Sequence, residues 1–457
     1  MQNMGDRSGL YWTLGSVVAA FVAAAAFAFS PLAGGLLVGP ILAIAVFTSR
    51  PKLGFLAWLF SICAIPCWIG ATAGIFLPAT LIGSLIALTC LFVGARWSPG
   101  KVDLCVLVLL IASAFGVYFG SASGGSSVSA FVSMLTLWLP GYLVGRIVCE
   151  RAGLSFVKAS MAIAFGIVGL LAIAERLFGW HPFASQLGMN SLSEIWAPIQ
   201  IRGGVERSEW AFGHAIALGG SLALAIPFLI SSSLRTKTKL VLLALILGGV
   251  AATLSRGPML AAGLTLVLAL LTTKSLKKGH KIVLLIAAGA LGIFTAISFA
   301  EVSDAAGSEV TDSSGYRVSL FNQLIWTLQP IGRSSAYTSG ANNEVWYGNF
   351  SSIDNSFMAL GLGFGWIAMV AVAIPFLTMG FRFLRGRASF AEVAMIGQIP
   401  VLVTVAMITQ YQVLVWMVAG LAATLVKVKA TDPAADAAIS QVHAPATFQP
   451  VKVGSFG

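Results

Sequence analysis

The chain has 457 residues, of which 58% are hydrophobic and only 9% charged, and its net charge is +11. A soluble domain carries roughly a quarter charged residues, so the composition excludes an ordinary soluble enzyme and predicts an all-α polytopic membrane protein. The excess of Lys and Arg does not point to nucleic acid. Those residues lie in short connections between apolar runs, not in one basic domain, and there they set topology and meet anionic lipid headgroups of the bilayer.

A membrane span needs about 20 mainly apolar residues. Runs of that kind lie at roughly 11–30, 32–48, 53–71, 73–95, 102–120 and 128–147. They continue at roughly 157–177 and 210–232, then as two shorter runs at roughly 240–254 and 257–273, and finally at roughly 281–300, 353–380, 390–410 and 412–427. The expected count is about 14 spans, an even number that leaves both termini on one side. The first run lacks a small-residue cleavage site and reads as a retained span. Residues 1–430 therefore form a single membrane domain, and the tail at 431–457, rich in Ala, Pro, Gln and Val without apolar periodicity, is expected to be disordered. No internal repeat suggests an inverted-repeat transporter.

Alternate connections carry the basic residues: Arg50 and Lys52; Arg96 and Lys101; Arg146, Arg151 and Lys158; 235–239; 274–281; and Arg382, Arg385 and Arg387. Positive charge gathers on the cytoplasmic side, which places both termini in the cytoplasm. Six arginines then face outward: Arg176, Arg202, Arg207, Arg256, Arg317 and Arg333. Arg176 is read as paired with neighbouring Glu175. The two long connections, about 178–209 and 301–352, are both outer, and long loops on a tightly connected fold tend to carry function. Cys63, Cys67, Cys90, Cys105 and Cys149 all fall in or beside apolar runs; Cys63 and Cys67 are placed on one helix, within reach of each other, and all five read as small core residues.

The candidate chemistry lies at the outer ends of the spans. The first long loop closes with Arg202, Glu206, Arg207 and Glu209, with His214 placed about one turn into the next helix. An ionisable group there is functional by default, or else an interfacial histidine; the arginines bind an anion, or else headgroups or Glu206 and Glu209. Arg256 follows Thr253-Leu254-Ser255 and precedes Gly257-Pro258, a helix break within an apolar stretch. Freed backbone at membrane depth is tolerated where it lines a cavity, and a guanidinium fork suits phosphate oxygens. In the second loop Tyr316 and Arg317 precede a stretch, Arg317 to Leu328, whose apolar spacing predicts a short amphipathic helix. Trp346 and Tyr347 lie in a Gly-, Asn- and Tyr-rich segment that suits sugar rings or an interfacial aromatic belt. Asp354 and Asn355 stand at the mouth of the following span, where a carboxylate is a helix cap or a general base. The chain holds no DxD pair, HExxH, CxxC or Walker loop, so no metal or other cofactor is expected.

The order of these elements resembles the O-antigen ligase/polymerase superfamily, the membrane glycosyltransferases that include Wzy-type polymerases and WaaL-type ligases. The matching elements are the Arg202–His214 loop running into a span, Ser255-Arg256-Gly257, Arg317 before an amphipathic helix, and Asp354-Asn355-Ser356-Phe357 running to Gly361. The resemblance covers roughly 150–425 and implies a GT-C-like helical bundle. It implies a metal-independent inverting transferase whose donor and acceptor are undecaprenyl-pyrophosphate-linked saccharides, with a chain-length regulator as a possible partner. It assigns Arg256, Arg317 and Arg202 or Arg207 to the pyrophosphate. Asp354, or else Glu206, Glu209 or His214, orients or deprotonates the acceptor, and Asn355, Tyr316, Trp346 and Tyr347 contact the substrate. A ligase carries a histidine near the position of Asp354; this chain has none in that loop, which favours the polymerase over a ligase acting on lipid A–core. A lipid-linked saccharide flippase is the alternative from another class.

Overall fold

The computed structural model describes residues 50–431, except 74, 93–94, 96–97, 121–125, 187, 274–278, 280, 287–288, 290–292, 294–308 and 340–344. The spans expected at 11–30 and 32–48, most of 281–300, and the tail beyond Thr431 lie outside the described residues. What is described is mostly helical. Five helices are long and apolar enough to cross a membrane: Lys101–Tyr118, Val128–Ala152, Leu154–Phe178, Trp366–Leu384 and Thr409–Val426. Shorter apolar helices pack among them.

In chain order the first elements are α1 (Pro51–Ala64), a hairpin of β1 (Gly70–Ala73) and β2 (Ile75–Pro78), α2 (Ala79–Phe92) and α3 (Lys101–Gly120). The hairpin corrects the single expected run at 73–95, and Cys67 lies beyond the end of α1 instead of on one helix with Cys63; all five cysteines are free thiols. Then come α4 (Ser126–Ser133), a π-helical turn (Met134–Trp138), α5 (Leu139–Ala152), α6 (Leu154–Phe178) and the short α7 (Ser191–Trp196). A two-residue-stranded hairpin, β3 (Ile201–Arg202) and β4 (Val205–Glu206), leads to α8 (Ala215–Ser231), α9 (Thr236–Ala252) and α10 (Arg256–Thr272). The second long connection holds α11 (Glu309–Leu324) and the hairpin β5 (Tyr337–Ser339) and β6 (Val345–Tyr347). The chain continues through α12 (Ser356–Phe364), α13 (Trp366–Leu384), α14 (Phe390–Gly397), α15 (Ile399–Leu402) and α16 (Thr409–Thr431).

A helix that is apolar all round belongs inside, and α8 obeys: every residue but Ile216 and Ser231 is buried. It packs against α6, α9, α10, α14 and α16. The outer helices instead turn large apolar side chains outward, such as Leu107, Ile111 and Phe115 on α3 and Leu377, Phe381 and Leu384 on α13, as lipid-facing helices do. Helices α5 and α16 approach closely because Gly141 and Gly145 lie four apart on one and Gly420 lies on the other; a Cβ at any of them would run into the facing backbone.

The long run at 353–380 is not one helix. It breaks at Gly365, whose φ of 100° suits glycine. Trp366 N–H donates to Gln329 O (2.8 Å), Gly332 N–H to Phe364 O (3.0 Å) and Ser334 N–H to Leu362 O (2.8 Å), so the break receives the second loop as a strap. The run at 390–410 is also interrupted: after α15 the chain leaves helical form until Thr409. Replacing Gly365 with alanine forces an unfavourable φ and puts a Cβ 2.5 Å from Pro330 O. Gly365→Ala is expected to cost about 1–3 kcal/mol, read as a lower unfolding temperature of the detergent-solubilised protein. An unchanged midpoint would show that glycine is not required at this break.

Candidate functional site

The first long connection does not end at 209; it runs to His214 before α8 begins. Two carboxylates hold it. Glu175, buried on α6, accepts the backbone N–H groups of Glu209 (3.0 Å) and Trp210 (2.8 Å) on one oxygen and meets His181 Nδ1 (2.9 Å) with the other. His181 Nε2 lies 3.1 Å from Glu206. Glu175 is therefore engaged by the loop, not by Arg176 as expected. Adjacent residues on a helix do not face each other. Glu209 accepts the N–H of Gln200 (3.0 Å), and burial pushes its carboxyl up to about 8 against the opposing pull of Gln200 and Arg207. Ser208 Oγ donates to Ala172 O (2.7 Å) and Trp210 Nε1 to Cys63 O (2.8 Å).

The loop docks on the break between α9 and α10. Ser208 N–H donates to Ala252 O (3.3 Å). Arg207, buried, donates from Nε to Thr253 O (3.0 Å), from one terminal nitrogen to Gln200 Oε1 (3.1 Å), and from the other to Ser255 Oγ. Each of its three nitrogens thus donates within the fold, and Arg207 ties the loop to the break. Arg202 reaches the same break, donating to Leu254 O at 3.5 Å. Leu254 has a φ of 48°, rare for a side-chain-bearing residue.

Arg256 opens α10 at this break, and the charges of Arg202 and Arg317 both act on it. Arg202 and Arg317, from two other segments, thus lie within electrostatic reach of Arg256. Arg317 lies midway along α11, which starts at Glu309, and not at the start of a helix as expected. The helix ends at Leu324 and passes into a 3₁₀ turn at Ile325–Thr327; Leu320 and Leu324 are buried while Val318 and Phe321 are exposed. Arg317 Nε is buried with no hydrogen-bond partner among the described residues, an exception to the rule that buried donors are paired.

Tyr316 joins that helix to the end of the second loop: its hydroxyl donates to Ser352 O (2.6 Å), and it lies in the field of Asp354. Ser352 Oγ donates to Asp354 (2.9 Å). The helix cap is not Asp354 but Asn355, whose Oδ1 accepts from the N–H groups of Phe357 and Met358 (3.0 Å each). Asp354 is thereby left beside the arginine-bearing helix. Trp346 and Tyr347 lie on β6, where Tyr347 packs edge-on to Tyr337 and the Arg333 guanidinium stacks 4.4 Å from the Tyr337 ring. This hairpin belongs with the small apolar cluster of Leu320, Leu324, Phe350, Met358 and Leu362.

His214 is not within a helix. It is the N-cap of α8, its Nδ1 accepting from the N–H of Ile216 (3.1 Å), and its ring lies edge-on to Trp196. Burial, with Arg207 nearby, lowers its pKa to about 4, so it is a neutral acceptor and not a cation. A cavity of about 530 Å³ lies between the starts of α2, α12 and α16, the helices α4 and α7, and the π turn. Sequence reasoning missed it, along with His181 and Gln200. Glu175 inside an apolar span was the available signal for the His181 pair. No family model, curated protein or solved structure matches the chain.

Asparagine is among the best helix caps and alanine among the worst. His214→Ala is therefore expected to lose about 0.5–2 kcal/mol of stability and His214→Asn almost none, measured by unfolding in detergent. Equal losses would remove the cap role. Glu209 gives a pH test. Folded Glu209 keeps its proton up to about pH 8, while the unfolded chain releases it near the ordinary carboxylate value. Between these limits the native state binds more protons, so this group's contribution is full at low pH and is lost as pH rises through the folded pKa. Glu209→Gln is expected to flatten the decline in unfolding temperature across that window; an identical pH slope in variant and wild type would refute the assignment.

Proposed function

We propose that the chain is a membrane glycosyltransferase that polymerises undecaprenyl-pyrophosphate-linked oligosaccharide repeats into O-antigen or exopolysaccharide at the outer face of a bacterial inner membrane. In this reading it has about 14 spans in a GT-C-like bundle, with both termini cytoplasmic. One observation carries the reading: Arg202 and Arg317, from two other segments, lie within electrostatic reach of Arg256 at the head of α10, and Arg317 Nε is buried with no hydrogen-bond partner among the described residues. Planar guanidinium forks match phosphate oxygens and keep their charge at any working pH.

The acceptor hydroxyl oxygen attacks the anomeric carbon of the donor. The bond from that carbon to the pyrophosphate oxygen breaks, and the lipid pyrophosphate leaves with the electron pair. Attack opposite the leaving group inverts the anomeric centre. The three arginines stabilise the charge that grows on the pyrophosphate. Asp354 takes the hydroxyl proton. Arg207 holds Thr253 and Ser255 in place, so Arg256 and Arg202 keep their positions.

Removing one such charge contact costs about 10²–10³ in rate. Cells carrying Arg256→Ala, Arg317→Ala or Asp354→Ala at normal protein levels are expected to make little or no long polymer on gels. Full-length polymer in all three would sink the assignment. Polymer formed from lipid-linked repeats in detergent, without any gradient, requires an enzyme; its absence, with transport across vesicles instead, would favour a flippase. Transfer to lipid A–core as the only acceptor would favour a ligase.

A further inference from the structure

The cavity of about 530 Å³ has no Asp, Glu, Lys, Arg or His among its lining residues. Its walls include Phe76, Trp138, Trp196 and Phe364. Two polar side chains, one turn apart at the start of α16, also line it. Thr409 is 7% exposed, and its hydroxyl is buried without a hydrogen-bond partner among the described residues. It also has a φ of 44°, a conformation β-branched residues rarely adopt, and such strain gathers at ligand sites. Gln412 is 9% exposed. Its Oε1 accepts from Trp138 Nε1 at 2.6 Å. An indole N–H only donates, so this contact fixes the amide and turns its NH₂ away from Trp138.

We infer that this cavity binds an uncharged, hydroxyl-bearing group, the ring of a neutral saccharide. An ionised group would lose its hydration there with no charge to meet it. A hydrocarbon chain would offer no partner to the Thr409 hydroxyl or to the Gln412 NH₂. A pyranose hydroxyl supplies both an acceptor for Gln412 and a partner for Thr409, while the apolar ring faces pack on Trp138 and Trp196. The volume falls in the range of small-molecule sites, about 300–1,000 Å³. The choice of a saccharide among neutral hydroxylated compounds rests on the function proposed above. The cavity is open to that chemistry: Leu192 and Trp196 come from the first long connection, and Ser356 follows Asp354 by two residues.

The test uses the full chain in lipid nanodiscs and saturation-transfer NMR. The probes are methyl glycosides of glucose, galactose, mannose and N-acetylglucosamine, with methyl glucuronide as the charged control and farnesol as the isoprenoid control. At least one neutral glycoside is expected to bind, and methyl glucuronide is not. Thr409→Val and Gln412→Leu are each expected to weaken binding about tenfold, and Thr409→Ser to retain it. The serine variant guards against a fold defect. Binding by none of the neutral glycosides, binding that survives both apolar variants, or displacement of the glycoside by farnesol would overturn the inference. The two readings separate through Arg256→Ala, expected to lose polymer synthesis and keep glycoside binding. Polymer synthesis by a wild-type protein that binds no glycoside would remove this inference alone; glycoside binding without polymer would remove the proposed function alone.

Discussion

The Arg207 guanidinium at the break between α9 and α10 is the contact on which this end of the bundle depends. A helix leaves its last carbonyls without partners, and in hydrocarbon there is no water to accept that debt. Here the first loop supplies the donors. Ala252 O takes Ser208 N–H, Thr253 O takes Arg207 Nε and the Ser255 hydroxyl, and Leu254 O takes Arg202. The negative end of α9 is thus met by a positive side chain, the favourable pairing with a helix dipole. The next residue but one starts α10, whose positive end is turned to the same break. Arg256 stands there with Arg202 and Arg317 close by. One end of the break is neutralised from within the chain; the other accumulates positive charge, the condition for an anion at a helix N-terminus.

Gathering guanidiniums opposes folding, so the arrangement needs a frame. The β3–β4 hairpin is held where β4 ends. Glu206 is tied through His181 to Glu175 on α6, and Arg207 is tied to Thr253 and Ser255. Arg202, paired with Val205 on β4, reaches the same break at Leu254 O. On the other side the strap of 329–334 along the Gly365 break and the Tyr316–Ser352 contact hold α11, and with it Arg317. Two long loops that could have been mobile are thereby made parts of one wall.

Hydropathy and charge made the helical membrane class legible, and Gly257-Pro258 signalled an interruption beside Arg256, although the break itself falls at 253–255 and both residues lie in the first turn of α10. Both are local properties of sequence. What was not legible depends on which neighbour a side chain finds. Arg207 and Arg202 carry the same charge, lie five residues apart and both reach the break between α9 and α10, yet Arg207 is buried with each of its three nitrogens donating, while Arg202 meets Leu254 O at 3.5 Å. Asp354 and Asn355 are both good caps, and which of them caps is decided by backbone direction at the start of α12. The run at 353–380 reads as one span because glycine is common in membrane helices; only the approach of Pro330 makes Gly365 a break. Thr409 gave no signal at all, since its strain and its unsatisfied hydroxyl exist only in three dimensions.

The two polar regions at this end of the bundle differ in charge. The arginine cluster is rich in fixed charge, and the cavity walls carry none. On the proposed function this division matches a substrate with an anionic pyrophosphate at one end and neutral sugars at the other. Asp354 lies between: it faces Tyr316, the residue before Arg317, and stands two residues before Ser356 in the cavity wall. A proton acceptor placed at the boundary of a charged and an uncharged site meets the substrate where one bond must break and another form. Tyr316 and Asn355, which bind no arginine, then matter because they fix that boundary: one ties Ser352 to α11, and the other sets the direction in which α12 leaves Asp354.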